Sequence, residues 1–293
     1  MNLALVMPDL GFGIVTASVL AMGAVGFSML YGITGVINFA YGDELTVAAY
    51  ATYVFNVILH LNVWLSAFIV TLGMGVFSVA MARGLVAPFK RRRAGMFALM
   101  IITFALGIVL QNLLQVIFGA SFQSFDVSQP KTVHVLGMIY TDQQFVIIGI
   151  GLLAMLGLHL LLQFTRIGIA MRAMADNVAL ARACGINTPR VTDLTWFLAG
   201  LLAGAAGFVL ALNTTAFGPT LGETFLLVIV SAAILGGVGR PYGAMLGAVI
   251  VGVVTAMSVL VLPASDKTAV ALIILVLVLL VRPHGLAASA GRT

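Results

Sequence analysis

The sequence predicts an all-α polytopic membrane protein of about eight or nine transmembrane helices, with broken or re-entrant segments among them. Its composition is the first observation: 62% of the 293 residues are hydrophobic and 8% are charged, against roughly 45–50% and about 25% in soluble domains. The second is a mean hydropathy of +1.18. The third is that apolar runs close to the ~20 residues of a membrane-crossing helix recur along the chain. These observations exclude an ordinary soluble enzyme, a disordered chain, a nucleic-acid binder and a disulfide scaffold.

Nine apolar segments emerge when the chain is divided wherever charge, proline or a polar cluster interrupts a run. The seventh and ninth contain only 15 and 14 residues, roughly 21–23 Å of helix, which is shorter than the hydrocarbon core. Either neighbouring residues extend these two or one is a re-entrant half-helix. All belong to one predicted transmembrane domain, residues 1–293. The segments are residues 11–33, 45–62, 63–82, 95–119, 144–164, 194–213, 224–238, 243–262 and 268–281.

The basic residues predict the orientation, because cytoplasmic loops are enriched in lysine and arginine. An outer N-terminus and an inner C-terminus place 12 of the 14 basic residues inside, mostly in residues 83–93 and 166–190. Lys131 and Lys267 remain outside. The start of the chain has no basic region or small-residue cleavage site, so we expect the first span to be an uncleaved anchor.

The outer loop, residues 120–142, contains an alternating β-branched and aromatic stretch from Thr132 to Tyr140 that is broken by Gly137. This pattern predicts a short hairpin on the membrane surface. The hairpin would either cap an extracellular opening or act only as a tether, and the sequence leaves both alternatives open.

The inner loop, residues 165–193, is predicted to contain a short polar helix over residues 167–184. This stretch is helix-compatible and has no internal proline, and Gly185 is suited to the position after a helix end. Thr188 and Pro189 then resemble an N-cap and first-turn pair that opens the sixth span.

Small side chains are predicted to line one face of this helix, because Ala175, Ala179 and Ala183 recur every four residues. Arg172 and Asp176 are spaced to pair on another face. A row of alanines permits close approach, and nearby arginines supply charge complementarity. The helix is therefore either a solvated connector or a docking element for a cytoplasmic partner.

Two glycine-rich interruptions, residues 31–44 and 236–243, break the apolar pattern, one in each half of the chain. Paired interruptions of this kind point to a central substrate site lined by broken helices. Other glycines, such as Gly200 and Gly204, are expected to serve helix packing. The candidate substrate-pathway residues are Tyr31, Gly35, Asn38, Phe39, Tyr41, Asp43, Gly236, Gly237 and Gly239.

Three polar side chains of the first interruption have alternative roles. Asn38 either hydrogen-bonds within the protein, which offsets the cost of burying an amide, or contacts substrate. Asp43 and Glu44 are expected to stay hydrated at a helix N-terminus, where the dipole favours carboxylates. A proton relay would require both acids to lie deeper in the membrane.

Catalytic and nucleotide-binding signatures are absent from the sequence. Neither H-E-x-x-H nor G-x-S-x-G occurs, and the four histidines lack metal-ligand spacing. No glycine precedes a lysine, which excludes a P-loop. We therefore expect a chain that is not an enzyme, holds no cofactor or metal and does not hydrolyse nucleotide.

Four blocks of the sequence together resemble the branched-chain amino acid permease family of bacterial ABC importers, which also holds urea permeases. The blocks follow the family's order, and the resemblance covers essentially the whole chain. One departure is that the family usually shows histidine, glycine and glutamate where this chain has Tyr41, Gly42 and Asp43, so its solute could differ from leucine, isoleucine or valine. The blocks are residues 31–44, 175–191, 234–247 and 276–286.

The resemblance implies the ABC importer permease fold, located in the bacterial inner membrane. It further implies a periplasmic solute-binding protein, a second homologous permease and two ATP-binding cassette subunits, which bind the ATP. ATP binding would close the ATPase pair and pull the inner-loop helix, so that the permeases alternate their opening. The implied coupling residues are Arg172, Ala175, Asp176, Ala179, Ala183, Gly185 and Asn187.

The main alternative is a secondary transporter or channel driven by an ion gradient. It predicts that intramembrane acids are essential for transport, whereas an importer depends more on the inner-loop helix than on Asp43 or Glu44. An intramembrane enzyme has only the triplet Tyr41, Gly42 and Asp43 in its favour.

Overall fold

The computed structural model describes residues 3–127, 131–135, 138–260, 263, 267–281 and 285. Within these residues the chain is almost entirely helical, as the sequence predicts. In the part of the chain that the structure describes, six helical stretches are long and apolar enough to cross a membrane, and Leu221–Gly236 and Thr268–Leu280 are shorter apolar helices. The class of polytopic membrane protein is therefore confirmed, while the number of eight or nine crossings stays a prediction.

The described helices follow one another through short links, and three of them continue into a short π or 3-10 segment: Val54–Ile58 after α2, Ala82–Val86 after α3 and Ser258–Leu260 after α11. The elements are α1 Leu3–Thr34, α2 Tyr41–Tyr53, α3 Val63–Met81, α4 Ala87–Arg91, α5 Met96–Phe118, β1 Thr132–Val135, β2 Met138–Thr141, α6 Asp142–Phe164, α7 Arg166–Asp176, α8 Val178–Ala183, α9 Thr188–Thr214, α10 Leu221–Gly236, α11 Pro241–Met257 and α12 Lys267–Val281.

Helices α1 and α9 form the centre of the bundle. In each of them 72% of the most apolar stretch is buried, compared with 28% in α5 and α6, which lie at the periphery. Small residues allow this packing: Gly200 and Gly204 of α9 lie against the backbone of α3, and Gly207 lies against Leu45 of α2. Since a larger residue would separate these backbones, the packing role predicted for Gly200 and Gly204 is confirmed.

The predicted hairpin is present. Strand β1 pairs antiparallel with β2, with Thr132 opposite Thr141, and Gly137 lies outside the described residues. Thr141 then begins α6 through a capping box with Gln144. Helix α6 connects the two ends of the bundle, which are called the hairpin side and the α7–α8 side below.

The predicted continuous helix over residues 167–184 is wrong at Asn177. The backbone there is extended, with φ −158° and ψ 106°, and the Asn177 side chain accepts a hydrogen bond from the Leu180 N–H. Asparagine favours this capping position over a helix interior, because its short side chain competes for backbone groups. Gly185 has φ +84° just past the end of α8, as predicted.

The cap of α9 lies one residue earlier than predicted. The side chain of Asn187 accepts from the Arg190 N–H at 3.2 Å, and Thr188 is already the first helical residue. Pro189 still occupies the first turn, where its missing N–H is tolerated. The amide of Asn187 therefore performs the capping role that the sequence assigns to Thr188.

Candidate substrate pathway and coupling surface

The first interruption places the start of α2 deep inside the bundle. Helix α1 ends at Thr34, Gly35 has φ +67°, and helical structure resumes only at Tyr41. The Asp43 side chain packs against Gly107, which lies midway along α5. Helix α2 therefore begins near mid-depth and continues toward the hairpin side.

Both acids at the start of α2 are buried, so the expectation that they stay hydrated is wrong. Glu44 has no exposed surface and Asp43 is 7% exposed. The cause is tertiary: α3, α5, α9 and α10 all pack around this helix. Hydropathy alone places adjacent acids at the end of a span and does not reveal that the span begins inside the protein.

Asn38 makes the internal hydrogen bond that was one of its two expected roles. Its Nδ2 donates to Glu44 Oε1 at 2.8 Å, and both side chains are fully buried. The Ser78 hydroxyl of α3 lies beside Glu44 but outside hydrogen-bonding geometry. Among the described residues, Asn38 Oδ1, Glu44 Oε2 and Ser78 Oγ have no hydrogen-bond partner. Such buried, incompletely satisfied polar groups are uncommon in proteins.

Tyr41 and Phe39 contact other helices. The hydroxyl of Tyr41 donates to the Ala199 carbonyl of α9 at 3.4 Å, and the Phe39 ring packs edge-on against Phe104 of α5. The Thr103 hydroxyl of α5 accepts from the Phe39 N–H at 3.2 Å and shares its own proton between the carbonyls of Met100, at 3.0 Å, and Ile37, at 3.3 Å. These contacts attach the interruption to both α5 and α9.

The second interruption lies against the end of α1. Gly237 and Gly239 have φ +101° and +86° between α10 and α11, conformations that favour glycine. The Gly239 N–H donates to Ser28 Oγ of α1 at 3.0 Å, and its backbone packs directly on Gly32. Gly236 lies against Gly243 of α11. The structure thus brings Tyr31 and the second interruption together, while Asn38, Tyr41 and Asp43 belong to the deeper contacts around α2.

Three functional candidates on α5 and α10 were missed by sequence reasoning. Helix α10 begins at Leu221, three residues before the predicted segment, and this extension places the exposed Glu223 in the first turn of the helix. Gln111 Nε2 of α5 donates to Glu223 Oε2 at 3.1 Å. Asn112 is exposed beside Gln111. The unusually short seventh segment was the available signal that Glu223 belongs to a helix.

The predicted coupling residues form an exposed surface, although not a single helical face. Ala175 lies in the last turn of α7, while Ala179 and Ala183 lie on α8, after the break at Asn177. All three alanines are exposed. The predicted pair between Arg172 and Asp176 is wrong. Arg172 donates instead to Gln163 Oε1 at 3.4 Å, because the tight turn between α6 and α7 brings the end of α6 beside it.

A cavity of about 380 Å³ joins this surface to the second interruption. Arg172, Ala175 and Asp176 line one wall, and residues 239–243 line the other. Met171 of α7 is fully buried at the same cavity. Helix α7 and the link between α10 and α11 therefore face each other across this cavity. No group of three or more histidine, cysteine, aspartate or glutamate side chains suited to a metal occurs in the described part of the chain.

Apolar crossing helices, two contacting interruptions and an exposed helix pair at one end define a multi-pass membrane permease. More particularly, the chain belongs to the permease family of the branched-chain amino acid transport system: the family model described as "Branched-chain amino acid transport system / permease component" matches residues 10–281. This match confirms the resemblance found in the four sequence blocks. The family is the permease component of ABC importers.

Individual relatives agree with this assignment. The chain is 32% identical to the high-affinity branched-chain amino acid transport system permease protein LivH of Salmonella typhimurium, over 94% of this chain and 92% of the relative. It is 28% identical to BraD, the protein of the same description from Pseudomonas aeruginosa, over 94% and 93%. The ribose import permease protein RbsC of Escherichia coli is 34% identical over only 31% of this chain and 30% of its own. No solved structure matches the chain.

Proposed function

We propose that this chain is the transmembrane permease subunit of a binding-protein-dependent importer for branched-chain or related amino acids, driven by separate ATPase subunits. The observation that carries the proposal is the exposed α7–α8 surface, which adjoins the second interruption across a shared cavity. The names of the LivH and BraD relatives support amino acids as the solute class, while an amide or urea is the alternative within the family.

The proposed assembly contains two ATP-binding cassette subunits, a second homologous permease and a periplasmic solute-binding protein. The chain forms one transmembrane domain in the inner membrane, with its N-terminus periplasmic and its C-terminus cytoplasmic. This orientation places α7 and α8 on the cytoplasmic side, where the ATPases lie, and the hairpin on the periplasmic side. The ATPases supply the nucleotide chemistry, so the permease itself needs no cofactor.

The proposed mechanism transmits motion through packed backbone contacts. Closure of the ATPase pair displaces α7 and α8, and α7 packs against α1, whose end contacts the second interruption. The contact between Gly32 and Gly239 has no intervening side chains, so the end of α1 moves with this link. The first interruption follows, and the path between the two permeases opens alternately to each side.

Replacing Ala179 with glutamate is expected to uncouple ATP hydrolysis from uptake while leaving the protein folded in the membrane. Ala179 is exposed on α8, so the larger charged side chain fits the free chain but obstructs a surface that must approach a partner closely. The measurement is ATP hydrolysis and amino acid uptake in vesicles that contain the complete importer.

The control for this experiment is Ala179→Ser, which keeps the side chain small and neutral and should preserve coupling. Full coupling in Ala179→Glu would refute the assignment of the surface to the ATPases. Uptake driven by a proton or sodium gradient in vesicles without ATPases would instead favour the secondary-transporter alternative.

A further inference from the structure

The cavity between α7 and the link from α10 to α11 has the size and lining of a small-molecule site. Its volume of about 380 Å³ falls within the roughly 300–1,000 Å³ that ligand pockets in proteins usually occupy. Such pockets combine a mostly apolar lining with a few polar groups that orient the ligand. Four buried side chains form the apolar inner wall of this cavity: Met29 and Ile33 of α1, Leu162 of α6 and Met171 of α7.

Two side chains of opposite charge lie next to each other on the α7 wall. Arg172 and Asp176 both line the cavity, and residues four apart on a helix have Cβ atoms only about 5–6 Å from each other. They do not pair, because Arg172 donates instead to Gln163 Oε1 at 3.4 Å. The cavity therefore presents a cationic and an anionic group at adjacent positions.

The Asp176 carboxylate has no compensating partner. Within the described ranges of the chain it makes no hydrogen bond and no ion pair. It also belongs to the last residue of α7, where the helix dipole disfavours a carboxylate and favours a cation. A positively charged group of a ligand would therefore stabilise this end of the cavity.

A ligand that carries both charges close together suits this wall. Arg172 and, on the opposite wall, Arg240 would repel a simple amine, and Asp176 would repel an anion that has no amine. An α-amino acid carries its ammonium and carboxylate groups on a single carbon, so it can bind Asp176 and Arg172 at the same time. An aliphatic side chain would then lie on the apolar inner wall, where a charged side chain would lose its water.

We propose that this cavity binds the imported amino acid on the cytoplasmic side and thereby slows further import. The inference rests on the proposed function, which places the cavity at the cytoplasmic end and displaces α7 in each cycle. A ligand in contact with α7 on one wall and residues 239–243 on the other stabilises the arrangement described here over any in which α7 is displaced. Accumulated product therefore lowers the rate of the cycle.

Uptake into vesicles that contain a preset concentration of leucine tests the inhibition. The complete importer is reconstituted with ATP inside, and the initial uptake of radiolabelled leucine, supplied outside with the binding protein, is measured. Saturating internal leucine is expected to slow uptake about fivefold or more, the lower end of the usual coupling between two sites. Two analogues should not inhibit when supplied on both sides of the membrane: 4-methylpentanoate, which lacks the ammonium group, and 3-methylbutylamine, which lacks the carboxylate.

Replacing Asp176 with asparagine removes the charge that binds the ammonium group and keeps the size of the side chain. Each variant is compared with its own uptake in the absence of internal leucine, so an effect on transport itself does not enter the result. The half-inhibitory concentration of internal leucine is expected to rise about tenfold or more, the usual effect of losing a charge-assisted hydrogen bond. Asp126→Asn, which alters an exposed carboxylate elsewhere, should leave this concentration unchanged.

Photolabelling locates the bound amino acid. After ultraviolet irradiation, the diazirine analogue of leucine is expected to modify residues that line the cavity, as identified by mass spectrometry, and excess leucine should prevent the labelling. The headgroup of phosphatidylethanolamine also carries an ammonium group close to an anion, so the labelling is performed in vesicles with and without this lipid.

Four results would overturn the proposal. These are uptake that is insensitive to internal leucine, inhibition that is unchanged in Asp176→Asn, labelling confined to other parts of the chain, and labelling of the cavity only without phosphatidylethanolamine, which would identify the lipid headgroup as the occupant. ATP-driven uptake together with any of these results leaves the proposed function standing. Absence of ATP-driven uptake overturns the proposed function, and the inferred inhibition with it.

Discussion

Replacing Gly222 with leucine is expected to abolish uptake and to remove most folded protein from the membrane. Helices α2 and α10 meet at this point with no side chain between them, because a Cβ atom on Gly222 would collide with the carbonyl of Gly42. The Gly222 N–H also donates to Thr46 Oγ1 at 2.9 Å. Overpacking typically lowers the free energy of unfolding by about 1–3 kcal/mol. A clash with backbone cannot be relieved by a change of rotamer, so the loss of stability in Gly222→Leu should lie at or above the top of that range.

Thermal unfolding in detergent and the yield of monodisperse protein provide the measurement. The matched control is Gly157→Leu on α6, where an added Cβ atom would have no neighbouring atom within 4 Å, so near wild-type stability is expected. Equal melting temperatures for Gly222→Leu and Gly157→Leu would show that the backbone contact between α2 and α10 is absent from the folded protein.

Replacing Glu44 with alanine is expected to abolish most uptake, whereas Glu44→Gln should retain it. The glutamine carbonyl can accept the hydrogen bond from Asn38 Nδ2, which alanine cannot. Loss of that acceptor leaves a buried amide unsatisfied, at a cost of about 1–3 kcal/mol, and releases the first interruption from the start of α2. Uptake and thermal unfolding should therefore fall together in Glu44→Ala.

The glutamine variant also separates the two classes of transporter. A transporter driven by an ion gradient would need the carboxyl group itself, so Glu44→Gln would be as inactive as Glu44→Ala. An importer driven by ATPases needs only the hydrogen bond. Asp126→Asn, which alters an exposed carboxylate outside the bundle, serves as the control and should behave like the wild type.

The two predictions concern the same region, because Gly222 and Glu44 both hold the start of α2 in place. One contact joins α2 to α10, and the other joins α2 to the first interruption. If both are needed for transport, uptake depends on the position of the buried start of α2.

Local sequence patterns were sufficient to predict the features that a short stretch of residues determines by itself. The hairpin follows from alternation, and Gly185 follows from its place after a polar helix. The same reasoning failed at Asn177, because neighbouring residues favour helix strongly enough to hide a single capping residue. It failed again for Arg172, whose partner Gln163 lies across a turn rather than on the same helix.

The amino-acid sequence alone established an apolar, helical, membrane-spanning chain, two glycine-rich interruptions and a family resemblance, because composition, periodicity and local motifs are written in contiguous residues. Tertiary packing established that α2 begins at depth, that Gly32 meets Gly239, and that Gln111 binds Glu223 over 112 positions of chain. Hydropathy treats each segment as if lipid surrounded it. The burial of Glu44 and the exposure of Glu223 instead depend on which helices become neighbours, so they emerge only when the bundle is assembled.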